Sequence, residues 1–182
     1  MFGDFSDRAR RIVLFSRMLA GRRGATAIEV EHLIEALVVE DQGDFLKAFR
    51  EDASGAVRPM PQYRAFLSAE TAAEIQRRLE PLLPKANPLP DSVDMPVSEA
   101  LKELFATATK LGEELRGEPA RPSRIQVGHP VRPSRIQVGH VEPLYLLAAA
   151  LSAETSATAE VLKQAGITKE AVIAAIKSGK YS

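Results

Sequence analysis

The sequence predicts an all-α fold, and three observations carry that expectation. Apolar residues recur at three- and four-residue spacing over most of the chain, and hydroxyl or acidic caps stand ahead of those runs. Prolines and glycines gather between the runs. Strand-like alternation is confined to Arg-Ile-Gln-Val, which occurs twice.

Ser6 is a good N-cap, and Asp7 follows in the first turn, where the helix dipole favours negative charge. Ala9, Ile12, Val13, Leu19 and Ala20 then mark one face, with arginines between them, until Gly21 and Gly24 end the helix. Residues 30–39 read as a second, more buried helix, and a short third helix is expected around Phe45, Leu46 and Phe49. Gly55, Pro59 and Pro61 make 51–67 a loop. A fourth helix starts at the cap Ser68 and carries Ala72, Ile75, Leu79 and Leu82. Pro84, Pro88, Pro90 and Pro96 make 84–97 an extended connection, because proline disfavours helix in itself and in the residue before it. Ser98 caps a fifth helix with Leu101, Leu104, Phe105, Ala108, Leu111 and Leu115 on one stripe. After a Pro/Gly-rich stretch, 117–141, helices are expected at about 142–152, 155–165 and 168–178, with Gly166 closing the seventh and Thr168 opening the eighth.

The layout repeats. Each half offers a long amphipathic helix, a polar loop, a buried helix opened by a glutamate, a short helix and a last helix. In this register Val30-Glu31-His32-Leu33 corresponds to Val141-Glu142-Pro143-Leu144, and the short helix at 44–50 to that at 157–165. The expectation is one domain over 1–182, an eight-helix pseudo-twofold duplication of a four-helix unit. The first repeat spans about 4–84 and the second about 97–178, packed together to hide stripes that neither could bury alone. A second, tandem duplication is plain in the letters: 121–129 and 132–140 both read Arg-Pro-Ser-Arg-Ile-Gln-Val-Gly-His, offset by eleven residues. It lies where the first half needs only a short loop, and closure entropy grows slowly enough with length for a surface loop to absorb it. A small hairpin and a mobile loop are both compatible with it.

Composition narrows the function. With 24 basic and 24 acidic residues the formal net charge is zero, which argues against affinity built on phosphate neutralisation. There are no cysteines, so disulfides, thiol nucleophiles and Cys-ligated metals are excluded. No apolar run approaches the ~18 residues of a membrane span, and the start of the chain has neither a basic nor an apolar signal region. A cytoplasmic protein is expected. There is no Gly-x-x-x-x-Gly-Lys-Ser/Thr loop and no Gly-x-Ser-x-Gly elbow, so neither an ATPase module nor any other catalysis is expected, and no cofactor.

The opening Met1-Phe2-Gly3-Asp4-Phe5-Ser6-Asp7-Arg8-Ala9-Arg10-Arg11, followed by Ile28-Glu29-Val30-Glu31-His32-Leu33, resembles the N-terminal domain of Clp-type AAA+ unfoldases. So does Ala159 to Gly166, which fits that family's closing pattern of Ala-x-x-x-Leu-x-x-x-Gly only loosely. The resemblance spans nearly the whole chain, as a stand-alone relative or an excised domain. In the second half Val97 stands where the family's helix-opening hydroxyl is expected, and Pro143 where its histidine is expected. The resemblance implies a non-enzymatic module that docks client proteins, peptides or adaptors for an unfoldase. In some members each half binds a phosphorylated arginine through the helix-opening hydroxyl and the motif glutamate. Carried over, that nominates Ser6 and Glu31, with Glu142 alone in the second half.

Each candidate also has a structural reading. Ser6 is an N-cap and Glu31 a first-turn acid; His32 reads as a hydrogen-bonded structural histidine. His129 and His140 are products of one duplication, and no metal site is expected. Phe2 and Phe5 either staple the first helix or offer an apolar contact. Arg8 and Arg10, with Arg11, Arg17, Arg22 and Arg23, form either a solvated face or a docking surface for acidic partners. A helical regulatory module that binds nucleic acid through this basic face is the alternative function.

Overall fold

The computed structural model describes residues 4–43, 64–90, 93–116 and 141–179. Seven helices lie among them: α1 (Asp7–Arg22), α2 (Val30–Asp41), α3 (Ala69–Leu79), α4 (Glu99–Arg116), α5 (Pro143–Ser152), α6 (Ala157–Gln164) and α7 (Lys169–Ser178). No strand occurs among the described residues, only two isolated parallel bridges. The short helix expected around Phe45 to Phe49 and the duplicated 121–140 segment lie outside the described residues.

Hydroxyl caps set the helix starts. Ser6 Oγ accepts from the Ala9 N–H at 3.2 Å, Ser68 Oγ from Thr71 at 3.1 Å, Ser98 Oγ from Leu101 at 3.3 Å and Thr168 Oγ1 from Ala171 at 3.2 Å. Each is worth about 1 kcal/mol. The α1 helix runs through Gly21 and stops only before Gly24, whose φ of +67° turns the chain. A Cβ at Gly24 would come within 2.3 Å of the Asn87 carbonyl oxygen, so glycine also admits the 84–90 segment against the turn.

Two helices form the hub. Every residue of α5 from Pro143 to Leu151 is buried, and so is most of α2 from His32 onward. The α1 helix packs on α2 and α4 on α5, while α2 and α5 touch each other. The other three close the sides, with α3 and α6 against α2 and both α6 and α7 against α5. By contrast, α3 buries only Ala72, Ile75 and Leu79. One apolar cluster therefore runs through both halves.

The bridges join the halves crosswise and in the same manner. Ser6 N–H donates to Val141 O at 3.1 Å, and Val141 N–H donates to Asp4 O at 2.8 Å. Ser98 N–H donates to Ile28 O at 3.1 Å, and Ile28 N–H donates to Pro96 O at 2.8 Å. The chain entering α1 thus lies beside the chain entering α5, and the chain entering α4 beside that entering α2. Phe5, 1% exposed, reaches across to meet Phe105 of α4 edge-on, with ring centroids 5.6 Å apart.

A buried polar clasp holds the other end of α2. Arg8 Nε donates to both carboxylate oxygens of Glu40 at 2.9 and 2.8 Å, and Arg11 Nη2 lies 3.6 Å from Glu40 Oε1. The neighbouring Asp41 accepts the backbone N–H groups of Phe66 and Leu67 at 3.0 and 2.9 Å. Burial pushes the Glu40 carboxyl above its usual range, with the Arg8 charge and hydrogen bonds pulling the other way.

Candidate peptide-binding cleft

The opening of α2 combines an exposed rim with a buried floor. The Glu29 N–H donates to His32 Nδ1 at 3.0 Å, which fixes the imidazole tautomer with its proton on Nε2. His32 is 1% exposed, and its pKa is lowered by burial, against the pull of Glu35 and Glu31. Its Nε2 is buried with no partner among the described residues. One turn of backbone away, Glu31 is half-buried and accepts the Thr158 hydroxyl of α6 at 2.7 Å.

Beside this opening lies a cleft of about 260 Å³, lined by Thr26, Glu29, Glu31, His32, Leu82 and Pro84 among others. Two carboxylates and an imidazole form one side; Leu82, 40% exposed, and Pro84 form an apolar edge. Arg23, at the end of α1, is taken up by Glu35, which its Nη2 meets at 2.6 Å, and by Glu80 at 2.9 Å. Those bonds raise the Arg23 pKa and hold the Glu80 carboxyl below its usual range. The cleft's own acids, Glu29 and Glu31, are left facing the opening. Chemically this suits a basic side chain: carboxylates for the charge, an apolar edge for the aliphatic stem. A second void, between Arg8, Glu40, Asp41, Phe66, Pro143 and Leu144, measures only about 10 Å³, room for about one water.

The structure separates the candidates. Ser6 is buried as the cap of α1, and its backbone is bonded to Val141, not to the α2 opening. Ser6 and Glu31 are therefore not a hydrogen-bonded pair; the hydroxyl-bearing residue joined to the α2 opening is Ser98. That corrects the reading of Val97 as the counterpart of Ser6, since Val97 holds the bridge position of Phe5 and Ser98 caps as Ser6 does. The register of Glu142 is corrected too. Val141 occupies the bridge position of Ile28, and Glu142 is the N-cap of α5 as Glu29 is of α2. The position of Glu31 thus falls on Leu144, 8% exposed, and that of His32 on Tyr145, 4% exposed. Pro143 falls at the first helical position, where proline needs no N–H partner.

Two of the partner-surface candidates are also corrected. Phe5 is core, and Arg8, 7% exposed, is spent on Glu40. Arg10 is exposed, 3.5 Å from Asp7. Phe2, His129 and His140 lie outside the described residues. Among the described residues no group of three or more His, Asp or Glu could hold a metal ion, and no helix is long and apolar enough to cross a membrane. The buried Arg8–Glu40 pair, the Glu29 rim and the Leu82–Pro84 edge were missed at the sequence level. Glu40, 32 residues from Arg8, left no local signal.

No family model and no curated protein matches the chain. Solved structures do. A chain from structural investigations of a malarial protein secretion system matches with a TM-score of 0.63 at 17% identity, covering 97% of this chain and 95% of its own. The N-terminal domain of the caseinolytic protease associated chaperone ClpD from Arabidopsis thaliana matches at 0.58 and 19% identity, over 96% of each chain. The Hsp104 N-terminal domain from Candida albicans matches at 0.53 and 16%, over 94% of this chain and 87% of that one. The fold is that of the N-terminal domains of Clp-type chaperones.

Proposed function

We propose that this chain is a non-enzymatic, cytoplasmic docking module that presents client polypeptides or adaptors to a Clp-type unfoldase, holding a basic side chain of the client at the opening of α2. The observation that carries this reading is the cleft itself. Glu29, Glu31 and the buried His32 Nε2 converge on it opposite Leu82 and Pro84. A phosphorylated arginine fits the same chemistry, its guanidinium against Glu31. The fold supports the general kind of function.

We read the matched bridges as the trace of a pseudo-twofold duplication of a four-helix unit, with repeats at about 4–84 and 97–178. On that reading the second opening has lost its carboxylate to Leu144, and the chain binds one ligand rather than two. The nucleic-acid alternative is weakened by the clasp, which turns Arg8 and Arg11 inward onto Glu40.

Calorimetric titration with a phosphoarginine peptide and its unmodified arginine counterpart tests this. Wild type takes up one peptide per chain; Glu31→Gln weakens binding about tenfold or more, and Glu142→Gln leaves it unchanged. Two sites per chain, or equal loss from both variants, sinks the single-cleft reading.

A further inference from the structure

We infer a second docking surface, on the outer face of α1, that takes an acidic amphipathic helix of a partner protein. It rests on the reading of the chain as a docking module but uses none of the cleft residues.

Among the described residues the exposed large apolar side chains are Leu14 at 54%, Met18 at 38%, Leu82 at 40% and Val93 at 39%. Leu82 belongs to the cleft. The other three gather about α1. Leu14 and Met18 stand one turn apart, and Val93 lies on the segment whose carbonyl accepts the Arg17 guanidinium at 2.9 Å. Exposed apolar side chains scattered singly need no explanation, but a cluster framed by charge marks an interaction surface.

The frame is basic. Arg10, Arg17 and Arg22 are exposed, and with Leu14 and Met18 they follow the three- and four-residue spacing of a single helix face. Asp7 is the one acid in α1 before Arg22. The remaining arginines of the helix point the other way, into Glu40. The helix thus divides its arginines between a neutralised inner face and an outer face where they surround two apolar side chains.

Charge selects the occupant. A second copy docked through the same face sets arginine against arginine. The 117–140 segment of this chain carries Arg121, Arg124, Arg132 and Arg135 against Glu118 alone, so it has the wrong sign as well. A duplex satisfies the arginines and leaves Leu14 and Met18 without a role. A helix with apolar residues one turn apart, flanked by Asp or Glu, satisfies both, with the apolar pair giving affinity and the charges giving orientation and rate.

The test uses two synthetic helical peptides sharing one apolar face, flanked by glutamates in one and by lysines in the other, read by fluorescence anisotropy on the whole chain. The glutamate peptide binds about tenfold or more tightly than the lysine peptide, weakens with salt, and loses about tenfold in the exposed double variant Leu14→Asp, Met18→Asp. Arg10→Glu with Arg17→Glu gives a similar loss, and circular dichroism checks that both variants keep their helices. Glu31→Gln has no effect on it, and arginine-peptide binding at the cleft persists in the α1 variants, so either surface can fail without the other. Absence of glutamate-peptide binding, equal binding of both peptides, indifference to the α1 variants, dimerisation lost in those variants, or salt-dependent duplex binding at this face would each overturn the proposal.

Discussion

At the opening of α2, Ile28 is bonded on both sides by the chain entering α4; at the opening of α5, Val141 is bonded on both sides by the chain entering α1, at distances alike to within 0.1 Å. Each is followed by a glutamate at the cap. Within the next turn they part. The α2 opening continues with Glu31 and His32 and borders a cleft, while the α5 opening continues with Pro143, Leu144 and Tyr145, all buried. The long helices differ likewise: Ser6 is followed two residues on by the buried Arg8, Ser98 by the exposed Ala100. One backbone plan carries polar chemistry in the first half and packing in the second, so the plan belongs to the fold and the side chains to function.

Three measurements sharpen or break that contrast, the largest effect first. Glu40→Ala leaves Arg8 buried without its carboxylate and costs about 3–5 kcal/mol in chemical denaturation, whereas Ala100→Arg, at the matching exposed place, changes stability by less than about 0.5 kcal/mol. A loss below about 1 kcal/mol at Glu40 would show the clasp to be solvated. Next, Leu144→Glu buries a carboxylate and costs roughly 2–4 kcal/mol. If it is tolerated, and a second arginine peptide then binds, the two openings are equivalent after all.

The smallest effect is a pH slope. The folded pKa of His32 lies below its ordinary 6.5, so the unfolded chain takes up a proton that the folded chain refuses. Its contribution is present above pH 6.5 and is lost as the pH falls from there through the depressed folded value, by at most about 1.4 kcal/mol per pH unit. Denaturation midpoints of His32→Gln over that window should lack this part of the slope; an unchanged slope would show His32 to be solvated.

Local chemistry made the helices legible. Ser6, Ser68, Ser98 and Thr168 were readable as caps because a hydroxyl ahead of an apolar stripe does the same job in any context. His32 was legible as a structural histidine, and its bond to the Glu29 N–H bears that out. The register of the second half was misread because Val30-Glu31 and Val141-Glu142 match by letter, while the true constraint, the crosswise bridges, joins residues far apart in sequence. The role of Arg8 was hidden for the same reason: a helix rich in arginine looks solvated until its inward-facing acids are known. The cleft depends on Leu82 and Pro84 arriving beside Glu29, and no periodicity reports that.

The crosswise bridge at Val141 also bears on how this gene has been free to change. The duplicated block ends at His140, and the following residue is fixed on both sides by Asp4 and Ser6. Whatever length of chain precedes it, α5 starts from the same anchorage. An in-frame copying event of eleven residues could therefore be inherited without shifting a single helix of the core.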